Sequence, residues 1–81
     1  MNHFAKTLKT QLGNTDFIFK KTLTANTSKY HVEAHFAAFE PYHFTIEQKE
    51  EEWRIVNAPK VPAWIKDAEK DLILAILMHT N

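Results

Sequence analysis

The chain has 81 residues, with ten basic and ten acidic side chains and no cysteine. Its length allows one domain with one modest core, and its apolar content of 44% is typical of a folded chain. The lack of cysteine excludes disulfides, thiolate nucleophiles and cysteine-based zinc sites. The balanced charge argues against nucleic-acid binding, which depends on neutralising phosphates.

The first segment, residues 2–12, is predicted to be a short amphipathic helix. Phe4, Leu8 and Leu12 recur every four residues, which places them on one face of a helix. Gly13 follows, and glycine often occupies the left-handed position just after a helix ends. We expect this helix to pack against one surface of the fold.

Four strands are predicted next, at residues 16–24, 29–37, 42–48 and 53–57. Apolar and polar side chains alternate along each of them, as in a strand with one buried face. Short connections join consecutive strands, including a turn centred on Asn26 and Thr27, and this favours antiparallel neighbours. The side chains expected to face the core are Phe17, Phe19, Leu23, Tyr30, Val32, Ala34, Phe36, Tyr42, Phe44, Ile46, Trp53 and Ile55.

Residues 62–79 are predicted to form a long amphipathic helix. Two apolar side chains, Leu74 and Met78, point nearly opposite to its main apolar face, and Leu77 lies on the flank of that face. Surplus apolar residues of this kind are either tolerated at the surface or mark a patch for another chain, and both interpretations stay open. The side chains expected to face the core are Trp64, Ile65, Ala68, Leu72, Ala75 and Ile76.

These elements predict a single α+β domain over residues 1–81, with the order α-β-β-β-β-α. The strands are expected to form a four-stranded antiparallel meander in the order 1-2-3-4. Both helices would pack on its one apolar face. The resulting two-layer sandwich has a second sheet face that is open to water.

The order of these predicted elements resembles the α-β-β-β-α order of double-stranded RNA-binding domains, with one strand added. That family presents a lysine cluster at the start of its last helix. The corresponding stretch here, residues 62–67, has one lysine, Lys66, beside an acid, Asp67. No binding residue is therefore carried over from that family, and RNA binding is the less favoured interpretation.

The open face of the predicted sheet suggests an alternative function. If Phe36 pairs with Tyr42, then His35 lies opposite His43, and two neighbouring imidazoles can share a divalent metal. Glu33 is a further candidate on the same face. Two ligands make a weak site, and histidines also occur on surfaces by chance. The pattern thus predicts, as the alternative, a small-molecule or metal-binding site around His35 and His43.

The leading functional prediction is a non-enzymatic module for protein–protein contact, including self-association as a homodimer, through Leu74, Leu77 and Met78. Extension of the sheet at an unpaired fourth strand is a second route to self-association. No catalytic residue, metal ligand or cofactor is assigned. The expected partner is another protein or a second copy, and not a nucleic acid or a membrane. The start of the chain lacks signal-peptide features, so a cytoplasmic location is expected.

Overall fold

One antiparallel sheet of five strands is followed by the helices. The computed structural model describes residues 3–23, 27–36 and 40–80. The strands lie side by side in chain order, so the predicted α+β class and antiparallel meander are confirmed. The strands are β1 (His3–Thr10), β2 (Gly13–Leu23), β3 (Ser28–His35), β4 (Tyr42–Lys49) and β5 (Glu52–Ile55). A 3-10 turn (Ala58–Lys60) leads to α1 (Ala63–Lys66) and α2 (Glu69–Thr80).

The first segment is a strand, and the helix predicted over residues 2–12 is wrong. β1 pairs antiparallel with β2 along its whole length. A spacing of four is an even number, so Phe4 and Leu8 also share one face of a strand, and both pack against the core. Gly13 has a positive φ of 108°, but it follows the loop of a hairpin and not the end of a helix. Without the first helix, the element order no longer resembles that of double-stranded RNA-binding domains.

The core lies between one face of the sheet and the helices. The predicted core-facing side chains whose burial is described are all buried or half-buried. Thr15 is also fully buried, and its hydroxyl group lies 3.0 Å from that of Thr10. The largest fully buried side chains are Tyr30, Phe17, Phe19, Ile46, Ile65, Leu72, Ile76, Val32 and Thr15.

The predicted helix over residues 62–79 is observed as α1 and α2, with a tighter turn between them. The N–H of Ala68 donates to the carbonyl of Ile65, three residues back, at 3.0 Å. Ile65 in α1 and Leu72 in α2 are both fully buried in the same core. Neither α1 nor α2, nor the short 3-10 turn before them, is long and apolar enough to span a membrane.

Strand β3 lies two residues away from its predicted register, against both of its neighbours. Ala34 pairs with Phe17 on one side and with Tyr42 on the other, where Phe36 was expected. A shift of two residues keeps every side chain on its predicted face. β4 and β5 pair with Glu47 opposite Arg54. The shift therefore leaves the core unchanged and rearranges the neighbours on the open face, which is the sheet face turned away from the helices.

Some predicted features lie outside the described residues. They are the turn residue Asn26, the strand ends at Thr24 and Ala37, and the first residue of the predicted helix, Asn2.

Candidate functional site

Three apolar side chains on the outer side of α2 are exposed. Leu74, Leu77 and Met78 keep 53%, 42% and 68% of their surface accessible to solvent. Leu74 comes three residues before Leu77 and four before Met78, which places it next to both of them on the helix. Leu72 and Ile76, on the other side of α2, are fully buried. The structure thus brings the three predicted interaction residues together on one exposed surface, which we call the outer-helix patch.

A groove of about 620 Å³ runs beside the outer-helix patch, between β5 and α2. Its apolar wall includes Trp53, Ile73 and Leu77. The alternation and spacing of residues do not predict this groove, because its existence depends on how α2 lies against β5. Charged side chains at its rim are Glu51, Glu52, Arg54 and Glu69.

The two edge strands of the described sheet carry features that oppose pairing with another strand. β5 has four residues, and the N–H of Ile55 donates to Glu69 Oε2 at 3.1 Å. On β1, the exposed Lys6 shares the core-side face with Phe4 and Leu8. Short edge strands and inward-pointing charges both discourage edge-to-edge association. The geometry therefore favours the outer-helix patch over the sheet edge as a contact surface.

On the open face of the sheet, His31, Glu33 and His43 form a cluster. Glu33 lies directly opposite His43 in the β3–β4 ladder, and His31 is two residues from Glu33 on the same face. His31 Nε2 and His43 Nδ1 are 3.0 Å apart. One potential ligand atom from each of the three side chains lies within 4.8 Å of the others. We call these residues the His–Glu–His cluster.

His35, which was expected beside His43, lies elsewhere. It pairs with Asp16 of β2, and its Nε2 lies 3.3 Å from Glu33 Oε1. Of the residues named for the alternative function, the structure therefore brings His43 and Glu33 together. His35 contacts the Glu33 carboxylate but is not one of the three clustered residues. His31 was missed as a candidate. Its two-residue spacing from Glu33 indicates that both side chains lie on the same face of β3. The register of β3 against β4 then decides which side chain of that face lies opposite His43.

The Glu33 carboxylate is held by charged and polar neighbours. Lys20 Nζ donates to Glu33 Oε2 at 2.7 Å, and the Glu33 side chain is only 16% exposed. The Lys20 hydrogen bond lowers the pKa of Glu33 below its ordinary value, and the hydrogen bond of His35 and the charge of His43 act in the same direction against the effect of burial. Glu33 is accordingly an anion at neutral pH, and one of its two carboxylate oxygens is bonded to the Lys20 ammonium group.

Two surfaces therefore carry the functional argument: the outer-helix patch with its groove, and the His–Glu–His cluster on the opposite side of the sheet. Comparison of the chain with protein-family models, with curated proteins and with solved structures finds no match.

Proposed function

We propose that this chain is a non-enzymatic protein–protein interaction module that pairs with a second copy of itself through the outer side of α2. The observation that carries the proposal is the exposure of Leu74 and Met78, one turn apart on a helix whose other side is buried. Transferring such a side chain from water into a partner is worth about 1.5–3 kcal/mol when it becomes fully buried.

A ridge on α2 complements the groove beside it. Lys70, Leu74 and Met78 are spaced by four residues, so they follow one ridge of the helix. The groove has an apolar wall, and its rim carries three glutamates and one arginine, Arg54, which is paired with Glu52. In a two-fold pair, the ridge of each copy faces the groove of the other, so that Leu74 and Met78 meet the apolar wall and Lys70 meets the acidic rim. This complementarity supports a second copy as the occupant.

The charge of the whole chain also favours self-association. Its formal net charge at pH 7 is zero, so two copies approach one another without long-range repulsion. The contact is small compared with stable interfaces, which bury about 1,200–2,000 Å². We therefore expect a reversible dimer with a dissociation constant of roughly micromolar or weaker.

The test is the solution mass of the full chain, measured by light scattering from about 1 µM to about 1 mM. We expect the mass to rise from monomer to dimer across this range. The double variant Leu74→Glu with Met78→Lys should stay monomeric throughout. A matched control, Ala5→Lys with Asn14→Glu, places the same two charges on exposed positions of β1 and β2 and should dimerise like the wild type.

A charge exchange tests the ridge-and-groove arrangement itself. Lys70→Glu alone should weaken dimerisation, and Glu51→Lys with Glu52→Lys should weaken it as well. Combining the three changes should restore it, because opposite charges face each other again. A wild-type chain that remains monomeric at every concentration overturns the proposal. So does a dimer that the Leu74 and Met78 changes leave intact.

A further inference from the structure

The His–Glu–His cluster lies on the sheet face opposite to α2, away from the proposed dimer contact. Its three side chains come from two adjacent strands in the middle of the sheet, β3 and β4. Strands with neighbours on both sides hold their side chains in a fixed arrangement, which is the condition for a pre-organised binding site. The cluster can therefore bind a ligand whether or not the chain forms a dimer.

The separation of the two imidazole nitrogens suits a shared metal ion. His31 Nε2 and His43 Nδ1 are 3.0 Å apart, and the ring centroids are 5.2 Å apart, so the rings meet at their edges with the two nitrogens between them. Zinc–nitrogen bonds of about 2.0–2.1 Å at a tetrahedral angle place two ligand nitrogens roughly 3.3 Å apart. Two metal ligands therefore result when the nitrogens separate by a few tenths of an ångström and both rings turn so that their lone pairs point at one ion.

Glu33 supplies the third ligand atom. Its carboxylate lies within 4.8 Å of both imidazole nitrogens in the cluster. A carboxylate has two oxygens with about four lone pairs, and Lys20 and His35 occupy one position on each oxygen. Lone pairs therefore remain for a metal. The contact with His35 orients the carboxylate, as an outer hydrogen-bond partner commonly does for a metal ligand.

Lys20 is the group that competes with a metal for Glu33. Its ammonium group lies 2.7 Å from Glu33 Oε2, but the Lys20 side chain is 56% exposed. A flexible, exposed lysine can turn into water when a divalent cation takes its place beside the carboxylate. Removing the lysine charge should therefore strengthen metal binding, an outcome that a purely structural ion pair does not predict.

We infer that His31, Glu33 and His43 form a binding site for a borderline divalent transition-metal ion, with Zn²⁺ as the best representative. Two imidazoles and one carboxylate are a set of ligands that zinc accepts, with the remaining coordination position left to water. In the metal-free chain, one imidazole donates its N–H to the other. When the metal binds, the donor ring changes tautomer and carries its proton on its other nitrogen, so that both facing nitrogens are free to ligate.

The experiment is a titration of the tag-free, metal-stripped full chain with ZnCl₂, followed by calorimetry and by histidine-selective NMR. One ion should bind per chain and shift the ring signals of His31 and His43. His31→Ala and His43→Ala should each lower the affinity at least about 100-fold, because even outer partners of metal ligands contribute roughly 10–100-fold. Glu33→Gln should lower it at least about tenfold, and Lys20→Gln should raise it by roughly three- to tenfold.

Two further variants distinguish this site from other histidine arrangements. His35→Ala should lower the affinity for zinc less than His31→Ala does, since His35 bonds to Glu33 and is not one of the three clustered ligands. His3→Ala, at an exposed position of β1, should bind zinc like the wild type. NMR spectra of the metal-free variants establish that each one is folded, and His31→Gln replaces His31→Ala if the latter is not.

Three results would overturn the inference. The first is the absence of saturable zinc binding by the wild type at millimolar metal. The second is a His31→Ala variant that binds as well as the wild type while His35→Ala does not. The third is an equal loss of affinity in His3→Ala and His31→Ala, which would indicate general adsorption to surface histidines.

Discussion

The backbone N–H of Ile55 donates a hydrogen bond of 3.1 Å to the carboxylate of Glu69, which joins the last strand of the sheet to the first turn of α2. Ile55 is buried, so this N–H needs a partner, and a charged acceptor is a strong one. The same carboxylate lies at the N-terminus of the helix, where the helix dipole favours a negative charge. One side chain therefore provides a hydrogen-bond acceptor for an edge strand and a negative charge at the N-terminus of a helix.

We predict that Glu69→Ala lowers the free energy of unfolding by about 1–2 kcal/mol, because a buried N–H loses a charged partner. Glu69→Gln should cost clearly less, since its amide oxygen still accepts the bond. Asp71→Ala is the matched control: it removes an exposed carboxylate from the same helical turn and should cost no more than about 0.5 kcal/mol. Urea unfolding measures all three. Equal losses for Glu69→Ala and Asp71→Ala would contradict the prediction.

The spacing of apolar side chains is sufficient to assign the inner faces of β2 to β5, where they alternate, and the buried side of the last helix, where they recur every three or four residues. Burial of these side chains is the dominant favourable term in folding, so a residue pattern that fits it is strongly informative. The same reasoning is not sufficient for β1. Phe4 and Leu8 satisfy both the helical and the strand period, and pairing with β2, a contact distant in sequence, decides between them. The β-branched residues Thr7 and Thr10 agree with the strand.

The two candidate surfaces differ in how far the sequence can predict them. The outer-helix patch depends only on helical spacing, since Leu74 and Met78 lie away from the buried Leu72. The His–Glu–His cluster depends on the register of β3. Registers that differ by two residues bury the same side chains, so burial does not select between them. For that reason, the sequence predicted His35 beside His43, and the structure places Glu33 there.

The turn between β4 and β5 is built from residues that do not suit it. Glu50 and Glu51 have positive φ values of 53° and 70°, and they are the two residues between Lys49 and Glu52, the last pair of the hairpin. Positive φ at both central positions is strongly preferred by Asn-Gly, because other side chains collide with the backbone there.

We predict that Glu50→Asn with Glu51→Gly raises the free energy of unfolding by about 1–2 kcal/mol, since it relieves this backbone strain. The control Glu50→Gln with Glu51→Gln removes the same two charges without changing the backbone preference, and should change stability by less than about 0.5 kcal/mol. Thermal or urea unfolding provides the measurement. If the glutamine pair stabilises the chain as much as Asn-Gly does, charge repulsion and not strain is the cause.

The buried Tyr30 makes the stability of the fold depend on pH in the alkaline range. Only 1% of its surface is exposed, and burial raises the pKa of its phenol above the ordinary value. A group whose pKa is raised in the folded state contributes its full stability below the unfolded pKa of about 10, and this contribution is lost as the pH rises through the folded value. Between these two pKa values the unfolded chain ionises at Tyr30 before the folded chain does, and this favours unfolding.

We predict that Tyr30→Phe reduces the loss of stability between about pH 9 and pH 11, because the ring remains and the ionisable hydroxyl does not. Tyr42→Phe is the control, and it should lose as much stability at alkaline pH as the wild type does, because Tyr30 is retained. Urea unfolding at a series of pH values tests both variants. A Tyr30→Phe variant that loses stability with pH as steeply as the wild type contradicts the prediction.

Phe4 of the first strand makes two stacked contacts, one with Phe19 of β2 and one with His79 near the end of the last helix. Its ring lies 4.4 Å from that of Phe19 at an interplanar angle of 3°, and 4.0 Å from that of His79 at 19°. Stacked ring pairs contribute about 0.5–1.5 kcal/mol beyond the area that they bury. The contact with His79 is therefore a specific attachment between β1 and α2, and residues in direct contact should be energetically coupled.

We predict that Phe4→Leu lowers the free energy of unfolding by about 1–3 kcal/mol, because it retains an apolar side chain but loses both stacked contacts. Combined with His79→Ala in a double-mutant cycle, it should show a coupling energy of about 0.5–1.5 kcal/mol. Ala5→Val, on the adjacent open-face position, serves as the control and should show no coupling with His79→Ala. Additive effects of Phe4→Leu and His79→Ala would mean that the stacked geometry of this pair contributes nothing to stability.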